Sequence, residues 1–334
     1  MSRDRGPRRL RSLDRSALIA ASLTALSLTT SGCVVVHGER EVLPSATKAE
    51  AAEALRQFTT AYNKADKEYD SSLDSDHVTG ALSAIDAARL KAGAKNNPGG
   101  NPNHTPLELS DAKFTIPKKA GWPRWFVADA AGNKGGSARW LLVFTRNGLD
   151  EPWEAAYLTL VAPDRIPEFK QDKDGWAEAV PANSTELSAT PGGLSKDYTA
   201  YLESGAGDVF AEGAQTSVWR ADRKRNAKKP GLATQYIDEP LSGGDYAPLA
   251  VRTKDGGALV FFASRHFVKQ TAYPGSSLPA QTSDVLALTT GEIKQSLTME
   301  IVSNQVALDP AKGASDEQVS VLGRIEGLTS AQGS

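Results

Sequence analysis

The fold class of this chain follows from the apolar run Arg139-Trp140-Leu141-Leu142-Val143-Phe144-Thr145-Arg146 and the segments around it. Its aromatic, aliphatic and β-branched side chains are typical of a buried β-strand. Residues 132–136, Gly-Asn-Lys-Gly-Gly, separate it from an earlier candidate strand at 125–128. Glycine and asparagine between two apolar runs predict a β-hairpin. A third candidate strand follows at 153–161.

A helix precedes these strands. Thr47 and Glu50 have the spacing of a capping box, in which each side chain accepts a hydrogen bond from the other residue's backbone N–H. An apolar stripe at helical spacing follows, made of Ala51, Leu55, Phe58 and Tyr62. A second helical segment is predicted at 80–92. Helices followed by antiparallel strands predict the α+β class.

The second half of the chain repeats this order. A helical pattern at 194–211 precedes two apolar segments, 247–252 and 258–265, which flank the turn sequence Lys-Asp-Gly-Gly. We therefore predict two tandem α+β domains at 47–183 and 190–330, each with an N-terminal helix packed on a curved antiparallel sheet. A single larger α+β domain is the alternative.

The C-terminal part of the chain carries weaker signals. Residues 284–290 and 293–306 are candidate strands. We expect residues 309–334 to form a short surface segment with a frayed end.

The first 32 residues have the layout of an export signal. A basic segment precedes residues 16–32, which carry no charge. The apolar part, 17–28, has the length of a signal-peptide core of about 7–15 residues and falls short of the ~20 residues that cross a bilayer. Arg8-Arg9 also resembles a twin-arginine export signal, and any basic leader would show the same arginines.

The uncharged run ends in Thr30-Ser31-Gly32-Cys33, which contains the single cysteine of the chain. This ending resembles the lipobox of bacterial lipoproteins, in which the cysteine is lipid-modified and becomes the first mature residue. Most lipoboxes carry leucine where Thr30 stands. We predict a signal peptide at 1–32, lipidation at Cys33, a lipidated tether at 33–46 and a position on the outer face of the cytoplasmic membrane. A buried free thiol at Cys33 is the alternative.

The chain resembles a family of uncharacterised secreted lipoproteins of actinomycetes. The resemblance rests on the lipobox, the alanine-rich helix, the aspartate-rich stretch around Tyr69-Asp70, and Tyr-Ala-Pro-Leu-Ala followed by Lys-Asp-Gly-Gly-Ala-Leu-Val-Phe-Phe. A helix on a curved sheet is the plan of cystatin-like and nuclear-transport-factor-like folds. The resemblance therefore implies two cone-shaped domains, and such cones often enclose an apolar pocket.

Composition excludes several function classes. The chain has 334 residues, a formal net charge of -2 and one cysteine. One cysteine forms neither an internal disulfide nor a multi-thiolate zinc site. The near-neutral charge argues against a nucleic-acid binder. Dinucleotide, phosphate-loop, zinc-protease and nucleophile-elbow motifs do not occur in the sequence. We therefore expect no cofactor, no metal and no catalytic residue. Among the histidines, His77 is the alternative candidate for a metal ligand and His266 for a general base.

Two groups of residues are candidates for binding. The first is a basic cluster that could attract lipid headgroups or an anionic wall polymer. The alternative is that these cations lie in a solvated loop without a ligand. The cluster comprises Arg220, Arg223, Lys224, Arg225, Lys228 and Lys229. The second is the pair Trp122 and Trp125, which could line a ligand groove, whereas core packing is the ordinary role of such tryptophans.

Taken together, the sequence predicts a membrane-anchored extracytoplasmic lipoprotein that acts as a non-catalytic binding or interaction module of the cell envelope. Its expected partners are the membrane through the lipid anchor, and an anionic wall polymer, lipid headgroups or another envelope protein. The alternative is an extracytoplasmic hydrolase or isomerase that uses a pocket in one of the cone-shaped domains.

Overall fold

A computed structural model describes residues 41–334 of the chain. The predicted signal peptide, Cys33 and most of the predicted tether therefore lie outside the described residues. The residues that are described belong to one compact unit.

The described residues form five α-helices and fourteen β-strands, together with four short 3-10 helices. The helices are α1 (Lys48–Glu68), α2 (Gly80–Asn96), α3 (Leu194–Ser204), α4 (Ser217–Asn226) and α5 (Ser283–Leu288). The strands of the first half are β1 (Leu43–Pro44), β2 (Leu109–Thr115), β3 (Pro117–Lys119), β4 (Arg124–Gly132), β5 (Arg139–Arg146), β6 (Glu154–Val161) and β7 (Ala177–Val180). Those of the second half are β8 (Lys228–Lys229), β9 (Leu232–Leu241), β10 (Leu249–Arg252), β11 (Ala258–Ala272), β12 (Thr289–Thr290), β13 (Ser296–Asp309) and β14 (Ser320–Gly333).

Helix α1 begins where the capping box predicts. The Glu50 backbone N–H donates to Thr47 Oγ1 at 3.1 Å, and the Thr47 N–H donates to Glu50 Oε2 at 2.7 Å. Both donors would otherwise lack a partner at the helix start, so the reciprocal pair fixes the first turn. The helix buries the apolar stripe that includes Leu55 and Phe58.

A four-stranded antiparallel sheet lies under α1, in the order β2-β4-β5-β6. The predicted hairpin is confirmed as β4 and β5, with Phe126 opposite Phe144. These two rings stack at 5.0 Å, and Phe58 of α1 packs edge-on against Phe144 at 5.9 Å. Aromatic packing of this kind anchors the helix to the sheet.

The larger sheet has ten strands and includes β1, β3 and β7 from the first half of the chain. Its long central strand β11 pairs along its whole length with β13, with β10 at one end and with β9 at the other. Strand β14 pairs antiparallel with β13. The paired ladders satisfy the backbone groups of a sheet that is covered on both faces over its centre.

The two sheets pack face to face, and helices cover their outer faces. The core between the sheets includes Val127 and Tyr157 from the small sheet and Leu259 and Phe261 from the large one. Alternate residues of β11, such as Phe262, point to the opposite face and pack against α3. Because successive strand residues face opposite sides, one strand serves two cores. The unit is therefore a four-layer α+β arrangement of helix, sheet, sheet and helix.

The large sheet contains strands from both of the expected tandem domains, 47–183 and 190–330. Strand β7 of the first half pairs with β10 of the second, with Val180 opposite Ala250. Residues of both halves also share the core between the sheets. The expected boundary thus falls inside one compact unit of the described residues, and the division into two domains stays a prediction.

Two segments of the C-terminal part differ from expectation. Residues 283–288 form helix α5 because Thr282 caps it, its Oγ1 accepting from the Val285 N–H at 3.3 Å. The expected surface segment contains β14, a full partner of β13. Its glycines allow close packing, since a Cβ at Gly323 would lie 2.7 Å from the Leu160 carbonyl oxygen and one at Gly327 would lie 2.6 Å from the Ile85 side chain.

The first prediction tests the shared core. Phe261→Ala removes a fully buried ring between the sheets, so we expect the free energy of unfolding to fall by about 3–5 kcal/mol. Urea unfolding, followed separately by tryptophan fluorescence and far-ultraviolet circular dichroism, should show one transition that shifts as a whole. The control Ile237→Ala, at a side chain that is 51% exposed, should shift the midpoint little. Two separate transitions, only one of them shifted, would contradict the single unit.

Candidate functional site

The predicted basic cluster lies on a helix and a short strand. Arg220, Arg223, Lys224 and Arg225 belong to α4, and Lys228 and Lys229 form β8. Arginine, lysine and alanine favour helices, and cations in the last turn complement the helix dipole. The helix lacks a continuous apolar stripe, which is why its sequence resembles a solvated loop.

A cleft of about 490 Å³ opens beside α4 and is bounded by the end of α3 and by β9. We call it the α4 cleft. It is lined by Leu202, Glu203, Ser217, Arg220, Ala221, Arg223, Lys224, Ala227, Thr234, Tyr236 and Asp238. Three of these residues are cations and two are acids, so the lining has a net positive charge.

Arg223 is the innermost cation of this cleft. Its side chain is 6% exposed, and Nη1 donates to Asp238 Oδ2 at 2.6 Å. Its Nε and Nη2 are buried and have no hydrogen-bond partner among the described residues. Burial raises the pKa of Asp238, and the Arg223 guanidinium opposes that rise. The guanidinium is therefore only partly satisfied by the protein.

Aromatic rings hold Arg223 in place. Its guanidinium carbon lies 4.9 Å from the ring centre of Trp219 and 5.0 Å from that of Tyr236. The guanidinium carbon of Arg324, on β14, lies 3.9 Å from the same Trp219 ring. Cation–π attraction at such distances fixes both arginines without neutralising either. We call Tyr236, Arg223, Trp219 and Arg324 the arginine–aromatic stack.

His266 lies beneath this stack on β11 and meets Trp219 edge-on at 6.2 Å. Burial, followed by repulsion from Arg223 and Arg324, lowers the pKa of His266 to about 3. The imidazole is therefore neutral at physiological pH, and its side chain is buried. The sequence offered His266 as a candidate general base or a half-exposed strand-end residue, and its burial was not visible there because the surrounding arginines come from distant parts of the chain.

The remaining cations of the cluster differ in their surroundings. Arg220 lies over the Tyr201 ring at 5.3 Å, and its Nε donates to the Leu202 carbonyl oxygen at 3.3 Å. Its guanidinium occupies the space that a Cβ at Gly205 would fill. Arg225 forms an ion pair with Asp222. The exposed lysines of the cluster, which have no ion pair within the described part of the chain, are Lys224, Lys228 and Lys229.

The structure separates the two predicted groove tryptophans. Trp125 is 3% exposed and packs in the core between the sheets, so it does not line a surface groove. Trp122 is half-buried, and the guanidinium carbons of Arg124 and Arg146 lie 5.7 and 5.8 Å from its ring centre. Of the pair, only Trp122 reaches the surface.

A polar network that the sequence did not reveal joins α1, α2 and the loop after them. His104 Nδ1 lies 2.8 Å from Asp66 Oδ2, and Arg89 Nη1 donates to Asp66 Oδ1 at 2.5 Å. Arg89 also donates to Asp86. Burial and the neighbouring Asp86 carboxyl raise the pKa of Asp74. The partners lie on separate elements, so their spacing in the sequence gives no motif, and the network ties these elements together.

A larger cleft of about 950 Å³ lies between the small sheet and the segment 163–171. Its cations are mostly balanced by neighbouring carboxylates: Arg139 pairs with Asp129 and Asp111, and Lys254 pairs with Glu168. Within residues 41–334, no group of three or more histidine, cysteine, aspartate or glutamate side chains has the geometry to hold a metal ion. The α4 cleft therefore has the more distinctive chemistry.

Comparisons with known proteins place the whole described unit in one family. A domain of unknown function, DUF8094, matches residues 42–333. Two Streptomyces proteins, each named an uncharacterized lipoprotein, match over the full length of both chains, one from Streptomyces coelicolor at 74% identity and one from Streptomyces avermitilis at 59%. The chain belongs to the DUF8094 family of actinomycete lipoproteins. The family resemblance predicted from the sequence is thereby confirmed.

A second S. coelicolor protein, also named an uncharacterized lipoprotein, is 27% identical to this DUF8094 protein over 91% of each chain. No solved structure matches the chain of this DUF8094 protein. In the described part of this DUF8094 protein, no helix has the length and apolar character needed to span a bilayer.

The second prediction concerns His266. The unfolded imidazole gains a proton below its ordinary pKa of 6.5, whereas the native imidazole stays neutral down to about 3. His266 therefore lowers the stability of the native state as the pH falls through this window, by up to about 1.4 kcal/mol per pH unit. We expect His266→Gln to lose this contribution.

Urea unfolding between pH 7 and pH 5 measures the effect as the difference between the wild-type protein and the variant. That difference isolates His266 from carboxyl groups that titrate in both proteins. Parallel stability curves for the two proteins would contradict a neutral native imidazole.

Proposed function

We propose that this DUF8094 protein is a lipid-anchored binding protein of the outer face of the cytoplasmic membrane, without catalytic activity, and that α4 and β8 bind anionic components of the cell envelope. The observation that carries the proposal is a folded cationic surface. Arg220, Lys224, Lys228 and Lys229 are exposed or half-exposed, and no carboxylate of the described residues forms an ion pair with any of them. The full-length similarity to proteins named lipoproteins supports the anchor.

The anchor would hold this surface near its ligand. Acyl chains on Cys33 gain about 0.8 kcal/mol per buried methylene, and two or more chains give stable attachment. Leu43 of β1 is ten positions after Cys33, a span of at most about 35 Å when the chain is extended. The tether thus confines the domain to the layer next to the headgroups, which raises its effective concentration toward envelope polymers.

Electrostatic attraction supplies the binding energy in this proposal. A cation near an anionic membrane surface contributes about 1 kcal/mol, and salt screens the interaction. A wall polymer and lipid headgroups are both candidate ligands, and another envelope protein with an acidic surface is a third. The cystatin-like or nuclear-transport-factor-like character of each half, and a groove at Trp122, stay predictions.

The third prediction tests the anchor. Cys33→Ala removes the only thiol of the chain, so we expect the protein to leave the membrane fraction or to accumulate as its precursor. Fractionation of cells that are labelled with a clickable fatty acid measures both outcomes. The control is Ser31→Ala, which keeps a small residue before the cysteine. Lipid labelling of the Cys33→Ala protein would contradict the proposed anchor.

The fourth prediction tests the cationic surface. The quadruple variant Arg220→Gln, Lys224→Gln, Lys228→Gln and Lys229→Gln should bind vesicles of equal parts phosphatidylglycerol and phosphatidylcholine on the order of a hundredfold or more weaker than wild type, since each cation contributes about 1 kcal/mol. Vesicle sedimentation at low and moderate salt measures the change.

A matched control loses the same number of charges from α1 and α2. It carries glutamine at four exposed lysines, namely Lys48, Lys64, Lys67 and Lys91. This control should bind nearly as well as wild type. Equal weakening in both variants would show that net charge alone drives binding and would refute a role for α4 and β8.

A further inference from the structure

We propose that the α4 cleft is a one-to-one binding site for a phosphate group, carried as a phosphomonoester or phosphodiester, with Arg223 at its base. This inference rests on the proposed function, because it names the anion that the α4 surface recognises. It goes further in replacing a diffuse cationic surface by a discrete site within that surface.

The unsatisfied donors of Arg223 are the first observation. A buried guanidinium whose Nε and Nη2 lack partners bears a desolvation cost that a native structure ordinarily offsets. Asp238 accepts from Nη1 alone. Because Arg223 also lines the cleft, an anion in the cleft would lie beside a charge that one carboxylate only partly balances.

The surrounding charges are the second observation. Arg220 and Lys224 line the same cleft, and Arg324 lies behind Arg223 on the Trp219 ring. The acidic residues of the cleft lining are Asp238 and Glu203, and Glu326 Oε2 lies 3.3 Å from Arg324 Nη2. With four cations against three acids, the site retains a positive charge when it is empty.

The neutral hydrogen-bond groups favour phosphate over a simple carboxylate. Ser217, Thr234 and Tyr236, which each carry a hydroxyl group, belong to the lining together with the arginine and lysine residues. Several donors around one cleft suit an anion with three or four acceptor oxygens, and arginine matches phosphate geometry in particular. The volume of about 490 Å³ leaves room for the organic group that carries the phosphate.

The cations of the site are positioned before any ligand arrives. Trp219 and Tyr236 fix Arg223, while Tyr201 and the Leu202 carbonyl oxygen fix Arg220. Immobilised side chains lose little entropy on binding, so a prepositioned site gains affinity from each contact. Lys228 and Lys229, by contrast, are exposed on β8 and do not line the cleft.

The test divides the four cations of the quadruple variant into two matched pairs. The cleft pair is Arg220→Gln with Lys224→Gln, and the outer pair is Lys228→Gln with Lys229→Gln. Both pairs remove two charges from neighbouring positions and leave Arg223 intact, so the variants should fold, which thermal unfolding verifies. Isothermal titration of the full-length mature protein with glycerol 3-phosphate measures affinity and stoichiometry.

We expect wild type and the outer pair to bind one glycerol 3-phosphate with affinities within about twofold, and the cleft pair to bind at least tenfold weaker. Polyglycerol phosphate in solution and phosphatidylglycerol vesicles then serve as separate probes. A larger loss of binding by the cleft pair than by the outer pair toward either probe supports the site and identifies its source as polymer or headgroup.

Two results would overturn the inference, and they are distinguishable. If the cleft and outer pairs weaken binding to vesicles and polymer equally, the discrete site is refuted while the cationic surface of the proposed function stands. If wild type binds none of the phosphate probes, both the site and the proposed function fail.

Discussion

The folded unit is organised around the apolar contact between its two sheets. Val127 and Tyr157 of the small sheet meet Leu259 and Phe261 of the large sheet, and none of these side chains reaches solvent appreciably. Apolar burial of this kind is the main favourable contribution to folding. Because the two faces come from opposite halves of the chain, the apolar residues between the sheets are buried only when both halves are folded together.

Strand β11 connects the core between the sheets with the candidate site. Phe261 faces the core between the sheets and Phe262 faces α3, so the register of one strand fixes both cores. A shift by one residue would exchange the two faces. Further along the same strand, His266 lies under Trp219, and β9 places Asp238 directly opposite it. The cleft beside α4 is thus supported by the strand that also contributes to both cores.

Local patterns predicted the elements whose apolar residues are contiguous or evenly spaced. The capping box at Thr47 and the hairpin of β4 and β5 rest on such signals, and both are confirmed. Helix α4 and strand β14 escaped prediction because their fit depends on distant partners. Gly323 packs beneath a carbonyl of β6, and Arg223 is buried by Trp219 and Tyr236, neither of which is visible as a pattern in the sequence.

The six cations of the basic cluster look alike in the sequence, but the fold gives them different surroundings. The sequence alone does not distinguish the six positions, whereas in the folded protein their side chains differ in burial. Arg223 is buried against Asp238, Arg220 is held over Tyr201, and Lys228 and Lys229 stay in solvent. Charges in water attract any anion weakly and are screened by salt, whereas a fixed, largely desolvated guanidinium favours an anion of matching shape. In the proposed site, selectivity would therefore come from the aromatic rings that hold the arginines, more than from the number of positive charges.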